Sequence, residues 1–294
     1  MISAAPYRDR VVHHLLMNVL EPIFDRHMHP DSYACRRGKG THAASDRLQA
    51  LMRRHSHFVQ CDVVKFFPSI DHAILKGQYR RLIKDRNILR LLDLIVDGSN
   101  EQEPVAAYFP GDGLFTPFER RRGLPVGNLT SQWLANLYLT GLDHHLTSGL
   151  GVGGYLRYCD DFILLDSDRD RLREILAEAK RYAHGLRLRL HEERARTAPI
   201  RAGAKFVGCR VWPTHRLVRK ENVRAFRRRV RGMKKGYAAG ELTCHDIRSR
   251  LVGWLGHARR ANSERLIRRL APEWTFAGGG AENQPCSSRR GLEQ

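Results

Sequence analysis

The run YLRYCDDFILLD, residues 155–166, decides how this chain is read. Two short apolar runs flank Cys159-Asp160-Asp161, and their composition predicts a tight hairpin carrying adjacent carboxylates at its tip. Carboxylates with buried flanks repel each other unless a cation neutralises them. Hard oxygen donors of this kind suit Mg2+, which binds through one or two carboxylates plus substrate phosphates. A solvated turn accommodates an Asp pair equally well, so the hairpin alone leaves both readings open.

A second run upstream, FVQCDVVKFF (Phe58–Phe67), is β-branched and aromatic and predicts a strand, broken by Pro68-Ser69. Asp62 lies inside it, where an unpaired charge is costly. A strand carboxylate set beside the hairpin pair completes a site for two ions about 3.5–4 Å apart, which activate a 3′-OH and steady a leaving pyrophosphate. The alternatives for Asp62 are a strand-end residue or a salt bridge with Lys65. The joint pattern is far more specific than either part.

Charge points the same way. Lys and Arg total 51 against 31 Asp and Glu, a net +20 over 294 residues. Such an excess concentrates polyanions, so nucleic acid is the expected partner, with a merely solubilising surface as the alternative. Hydrophobic residues at 42% exclude wholesale disorder. No apolar run reaches the length of a membrane span and no signal peptide opens the chain, so no membrane partner and a cytoplasmic location are expected. The six cysteines lie far apart without zinc-like spacing, which predicts reduced thiols.

Along the chain, an apolar helical period runs from Arg10 to His27, and a basic glycine-containing loop, SYACRRGKGTHAA (Ser32–Ala44), leads into a helix through Leu51. Helices are expected over Ile70–Ile83, Ser131–Leu146 and Arg171–His184, and strands over Leu186–Leu190 and Lys205–Trp212. The stretch Asp97–Gly123 reads as loop with room for a small hairpin. An α+β body to about residue 215 is followed by a basic helical region from Arg219.

CDVVKFFPSID (Cys61–Asp71), RGLPVGNLTSQ (Arg122–Gln132) and YCDD (Tyr158–Asp161) resemble the successive palm motifs of reverse transcriptases. The resemblance extends to SYACRRGKGTH, KFVGCRVWP (Lys205–Pro213) and GWLGHA (Gly253–Ala258), and so covers nearly everything from Pro6 to about Leu270. It implies an α+β right-hand polymerase fold. Residues 1–57 would be partial fingers, 58–215 a ferredoxin-like palm with a fingers insertion over about 72–122, 216–272 a helical basic thumb, and 273–294 a disordered tail. It also implies an RNA template, a DNA or RNA primer, dNTPs and two Mg2+ ions, with Mn2+ able to stand in. Asp62, Asp160 and Asp161, with Val63, would hold the metal.

Phe67, five residues after Asp62, matches the bulky residue that lies under the sugar and rejects a 2′-OH; Phe66 is read as core. Val126 and Gly127 would line the nucleotide, since glycine lets backbone approach closely. Ser131 and Gln132 would begin a helix whose N-terminal amides can face phosphate or the templating strand. In the basic region, Arg224, Arg227, Arg228, Arg231, Lys234 and Lys235 recur near one helical turn and are candidates for duplex-backbone contact, against a plain solvated face.

Val126 before Gly127 and Ser131-Gln132 after it replace the Gln and Ser-Pro of many relatives. That replacement is similar to diversity-generating retroelement enzymes, which copy a template-repeat RNA with errors at adenine and work with a small helical accessory protein. Family members normally carry a further fingers segment ahead of the position of Ala5-Pro6, which is expected to be missing here. Arg36, Arg37 and Lys39 are then the remaining candidates for triphosphate or template contact. HEERARTAP (His191–Pro199) has Arg where many relatives carry Lys-Thr, and Arg196 cannot serve as a general acid because guanidinium hardly releases a proton. The rival readings are a group II intron-like enzyme and a catalytically silent RNA-binding remnant.

Overall fold

Apolar periodicity drives the first element. Helix α1 (Tyr7–His27) buries Leu16, Met17, Leu20 and Phe24, and α2 (Thr41–Met52) follows the basic loop. A computed structural model describes residues 5–99 and 107–276. Strand β1 (His57–Asp62) leads into the short α3 (Phe66–Ser69), then α4 (His72–Leu82) and α5 (Arg86–Asp97), the last two each entered from an aspartate whose carboxylate accepts the first free amides. After α6 (Thr116–Glu119) comes α7 (Leu129–His144), apolar on almost every side and buried accordingly. The hairpin β2 (Gly154–Tyr158) and β3 (Asp161–Asp166) precedes α8 (Arg169–Gly185) and β4 (Thr197–Pro199).

These strands form one antiparallel sheet in the order β2-β3-β1-β4. Its two inner strands, β1 and β3, carry the residues that the hairpin reading singled out. The core joins α1, α4, α5, α7 and α8 to this sheet through Phe24, Cys61, Tyr79, Trp133, Phe162 and Leu164, among others.

The chain divides into two compact units, Met1–Ala202 and Gly203–Gln294. The second unit holds β5 (Ala204–Phe206), β6 (Cys209–Val211) and β7 (Arg216–Val218), paired in that order. Its helices are α9 (Lys220–Ala238), α10 (Cys244–Arg259) and α11 (Glu264–Leu270). Phe226 stacks on Trp254 with ring centroids 3.9 Å apart, and Trp274 meets both rings edge-on.

Several expectations are corrected. The strand of Phe58–Phe67 ends at Asp62, because Lys65 adopts a left-handed φ of 46° and turns the chain into α3. Leu186–Leu190 is not a strand; it contributes only the single bridge Val63–Leu190. Lys205–Trp212 is a hairpin, turned at the positive-φ pair Val207-Gly208. The compact division falls at 202/203, ahead of residue 215. The tail expected from 273 is ordered through Phe276, since Trp274 and Phe276 are buried; residues 277–294 lie outside the described residues. The hairpin expected within Asp97–Gly123 is not seen among its described residues, and 100–106 lie outside them.

Candidate active site

Side chains two apart on a strand share a face, so Gln60 and Asp62 of β1 point the same way. The register of β1 against β3 sets Asp62 directly opposite Asp161. Tyr158 pairs with Asp161 across a two-residue connection whose first residue, Cys159, has φ 58°. A left-handed first residue is the geometry that tight hairpins normally give to glycine. That turn places Asp160 at the tip, beside the facing Asp62–Asp161 pair. The structure thus brings together the three carboxylates that the sequence spaced across a hundred residues.

Two of the three are electrostatically uncomfortable. Burial pushes Asp161 up to about 8; Gln60 opposes this by donating from Nε2 to both carboxylate oxygens at 3.0 and 3.1 Å, while Asp62 and Asp160 add repulsion. Burial also raises Asp160, with Asp62 contributing. Asp62 is turned onto Arg194, and His191 Nε2 lies 3.7 Å from it. Among the described residues no group of three or more His, Cys, Asp or Glu stands arranged around one metal position. Gln60 holds Asp161 and Arg194 holds Asp62, a neutral and a cationic donor respectively. The donor set itself, desolvated and mutually repelling hard oxygens, fits a divalent cation of the Mg2+ class. Asp62, Asp160 and Asp161 can hold it. Val63 forms a bridge to Leu190 flanked by bonds from His191 N–H to Asp62 C=O and from Val64 N–H to Arg189 C=O. Its own carbonyl is therefore directed to the opposite edge, the one β1 shares with β3.

Phe66 and Phe67 differ in burial. Phe66 is buried at 3% exposure, whereas Phe67 is half-buried at the start of α3, with its carbonyl accepting from Leu124 N–H. Val126 is exposed and Gly127 takes φ 126°, a conformation that a side chain would strain. Helix α7 starts at Leu129, two residues before the expected Ser131. Ser131 is buried within the first turn, and the Gln132 amide already donates to Asn128 C=O. Gln132 therefore lacks the free N-terminal amide expected of it, whereas the Ser131 N–H precedes the first intrahelical bond.

Arg36 donates from Nε to Asp25 at 2.5 Å and from its terminal nitrogens to the carbonyls of His29, Ser32 and Asp25. Its guanidinium is engaged in holding the loop together. Lys39 donates to Pro30 C=O and lies over the Tyr33 ring. Arg37 is 91% exposed, with Glu21 3.2 Å away.

In the second unit, the buried residues of α9 include Phe226, Val230, Met233 and Tyr237. Arg224, Arg228, Arg231 and Lys235 repeat the same spacing two residues earlier, about 200° around the helix, and face away from that buried side. Lys234 is half-buried, and Arg227 is drawn away to Glu273 at 2.7 Å. Sequence reasoning missed Gln60, His191 and Arg194. A polar residue two positions before Asp62 in an apolar strand, and so on its face, was the available signal for Gln60; no local pattern marks the other two.

A model of the family "Reverse transcriptase (RNA-dependent DNA polymerase)" matches residues 1–211. The chain is 24% identical over 198 residues to the Putative COX1/OXI3 intron 1 protein of Saccharomyces cerevisiae, covering 66% of this chain and 22% of that protein. It is 24% identical over 253 residues to Protein YkfC of Escherichia coli, covering 73% and 62%. A shorter match, 26% over 87 residues, covers 30% of this chain and 12% of Nuclear intron maturase 1, mitochondrial, of Arabidopsis thaliana. The chain thus spans less than two thirds of the length of each of these relatives. Among solved structures, telomerase from Candida tropicalis in complex with a TWJ fragment of telomeric RNA matches 78% of this chain and 41% of that one, with a TM-score of 0.50 and 13% identity. That likeness is one of fold, the α+β right-hand polymerase fold. With the family match spanning well over half its length, the chain belongs to the reverse transcriptase family.

Proposed function

We propose that this chain is an RNA-directed DNA polymerase that extends a 3′-OH primer with dNTPs on an RNA template. The observation that carries the reading is the facing pair Asp62–Asp161 with Asp160 at the adjoining turn. In the reaction the primer 3′ oxygen forms a bond to the α-phosphorus of the incoming nucleotide, the bond to pyrophosphate breaks, and the 3′ proton leaves to solvent or a nearby base. Two divalent cations bound at the carboxylates, Mg2+ in this reading, supply activation of that oxygen and charge neutralisation of the departing pyrophosphate. The chain's own residues orient the partners. Gln60 fixes Asp161, half-buried Phe67 is the residue that would bar a 2′-OH, and Gly127 lets backbone approach the nucleotide. The α9 stripe grips duplex phosphates without reading sequence. In this reading residues 1–57 serve as fingers, 58–215 as palm and 216–272 as thumb.

The test is Mg2+-dependent extension of a DNA primer on RNA, beside an Asp160→Ala/Asp161→Ala control. Extension that the control abolishes supports the polymerase; absence of extension by the unaltered chain points to a silent RNA-binding protein.

The finer reading is mutagenic cDNA synthesis in a diversity-generating retroelement, assisted by a small helical protein. Exposed Val126, unable to offer the amide that Gln provides, supports loose nucleotide selection. Val126→Gln should lower misincorporation opposite template adenine in a sequencing assay of the cDNA; equal fidelity at all four template bases would count against it. The names of two relatives, an intron 1 protein and a nuclear intron maturase, favour a second reading, a group II intron-like enzyme. Uniform fidelity together with enhanced splicing of a bound intron RNA would select that one.

A further inference from the structure

A charge in an apolar strand demands a partner, and Arg157 of β2 has one that the polymerase reading does not use. Its side chain and that of Asp143 on α7 are both fully buried. Nε donates to Asp143 Oδ1 at 2.7 Å and Nη2 to Oδ2 at 2.6 Å. Nη2 also reaches the Asn136 carbonyl at 3.2 Å, and Nη1 the Asn136 Oδ1 at 3.0 Å. The remaining donor on Nη1 goes to the carbonyl of Cys159 at 3.0 Å. Five N–H groups thus meet five acceptors, with Tyr155 Oη supplying a further donor to Asp143 at 2.5 Å.

Cys159 is the residue this network reaches last, and it is the strained one. A non-glycine residue at φ 58° persists only where its surroundings over-determine it. Its carbonyl bond from Arg157 is such a constraint, one residue ahead of Asp160. The Arg157 backbone adds two more ties, accepting from Tyr33 N–H and donating to Asp31 C=O, each at 2.9 Å, while Asn136 Nδ2 donates to Ala34 C=O. One side chain and its own peptide groups therefore connect the basic loop, helix α7 and the carboxylate turn. Burying an ion pair contributes little net stability compared with an apolar pair of similar volume. What a fork of five fixed donors provides, and an apolar pair does not, is direction.

We propose that Arg157 is a positioning residue that holds the Cys159-Asp160 turn so that Asp160 stays beside Asp62 and Asp161, available to a divalent cation. The inference rests on the polymerase reading of the carboxylates, and its test separates the two. Two variants of the full chain serve: Arg157→Met/Asp143→Leu, which removes both buried charges together, and Arg157→Lys, which keeps the charge but loses the fork. Thermal midpoint by circular dichroism reports folding, electron paramagnetic resonance of free Mn2+ reports ion binding, and primer extension reports kcat and the KM for dNTP. Both variants should remain folded yet bind Mn2+ about 10-fold or more weakly, the usual scale for losing a residue that orients a ligand. In extension, kcat should fall with little change in the KM for dNTP. Unaltered Mn2+ binding in a folded variant overturns the proposal, and so does failure of both variants to fold, which would assign the network to stability alone. Were the unaltered chain to bind Mn2+ but not extend a primer, the polymerase reading would fall while the Mn2+ comparison still judged Arg157. Were it to bind no Mn2+, both would fall.

Discussion

Arginine does opposite work in the two units of this protein. In the first, several arginines are tied to carboxylates: Arg36 to Asp25, Arg47 to Asp31 through two bonds of 2.8 Å, Arg157 to Asp143, Arg187 to Asp71, and Arg194 to Asp62. On α9 of the second, Arg224, Arg228, Arg231 and Lys235 line a face opposite the buried Phe226, Val230, Met233 and Tyr237. The net +20 is thus not spread as one uniform coat. In these arginines of the first unit the charge is held by acids; on the α9 stripe it faces water, where polyanions can meet it. Counting basic residues in a motif therefore says less about phosphate binding than asking whether acids lie within reach of them.

The largest expected effect tests the exposed face. Replacing Arg224, Arg228, Arg231 and Lys235 together by Gln should flatten the slope of log affinity against log salt by about 3 to 4 for a nucleic-acid duplex, at about 0.9 for each phosphate no longer neutralised. Because the stripe lies away from the buried side of α9, the thermal midpoint should barely change. Titrations at several salt concentrations provide the check, and an unchanged slope would break the contrast between the units.

Next in size is the contrast within the basic loop. Arg36→Ala removes charge-assisted bonds to Asp25 and to the carbonyls of His29 and Ser32, and should cost about 2–3 kcal/mol of stability. Neighbouring Arg37→Ala removes an exposed pair with Glu21 and should cost less than about 0.5 kcal/mol. Chemical denaturation of the two variants decides the matter. If Arg36→Ala were the harmless one and impaired dNTP use instead, its guanidinium would belong to the nucleotide after all.

How far the sequence revealed this arrangement follows the same division. The hairpin and its partner strand were legible because an alternating or wholly apolar run fixes a strand, and a carboxylate inside one stands out. The helical period of α9 was equally plain. What stayed hidden depends on where long side chains reach. Arg36 and Arg37 are adjacent in sequence and alike in chemistry, and only the placement of Asp25 separates them. Arg157 sits in an apolar strand under the same argument that singled out Asp62, so its buried role had a signal; its partner Asp143, on the apolar helix α7, had one too. The early end of β1 depended on a left-handed Lys65, a conformation that no composition rule assigns to lysine. The early start of α7 puts Asn128 at the N-cap without a side-chain cap bond, its Oδ1 accepting from Ala5 N–H instead, a long-range contact that no local pattern announces.

The smallest effect sharpens the contrast to neighbouring residues of one helix. Arg227 and Arg228 are adjacent, but Arg227 donates to Glu273 at 2.7 Å whereas Arg228 is exposed on the stripe. Arg228→Gln should lower the salt slope of duplex binding by about 0.9 and leave stability within about 0.5 kcal/mol. Arg227→Gln should do the reverse, leaving the slope unchanged and costing up to about 1 kcal/mol, since its pair with Glu273 is partly exposed and correspondingly weak. Both quantities come from the same two protein preparations, by binding titrations over a range of salt and by urea denaturation. Equal slopes for the two variants would mean that Arg227 leaves Glu273 when a duplex arrives. The ion pair would then mark a resting contact of the basic face rather than a boundary to it.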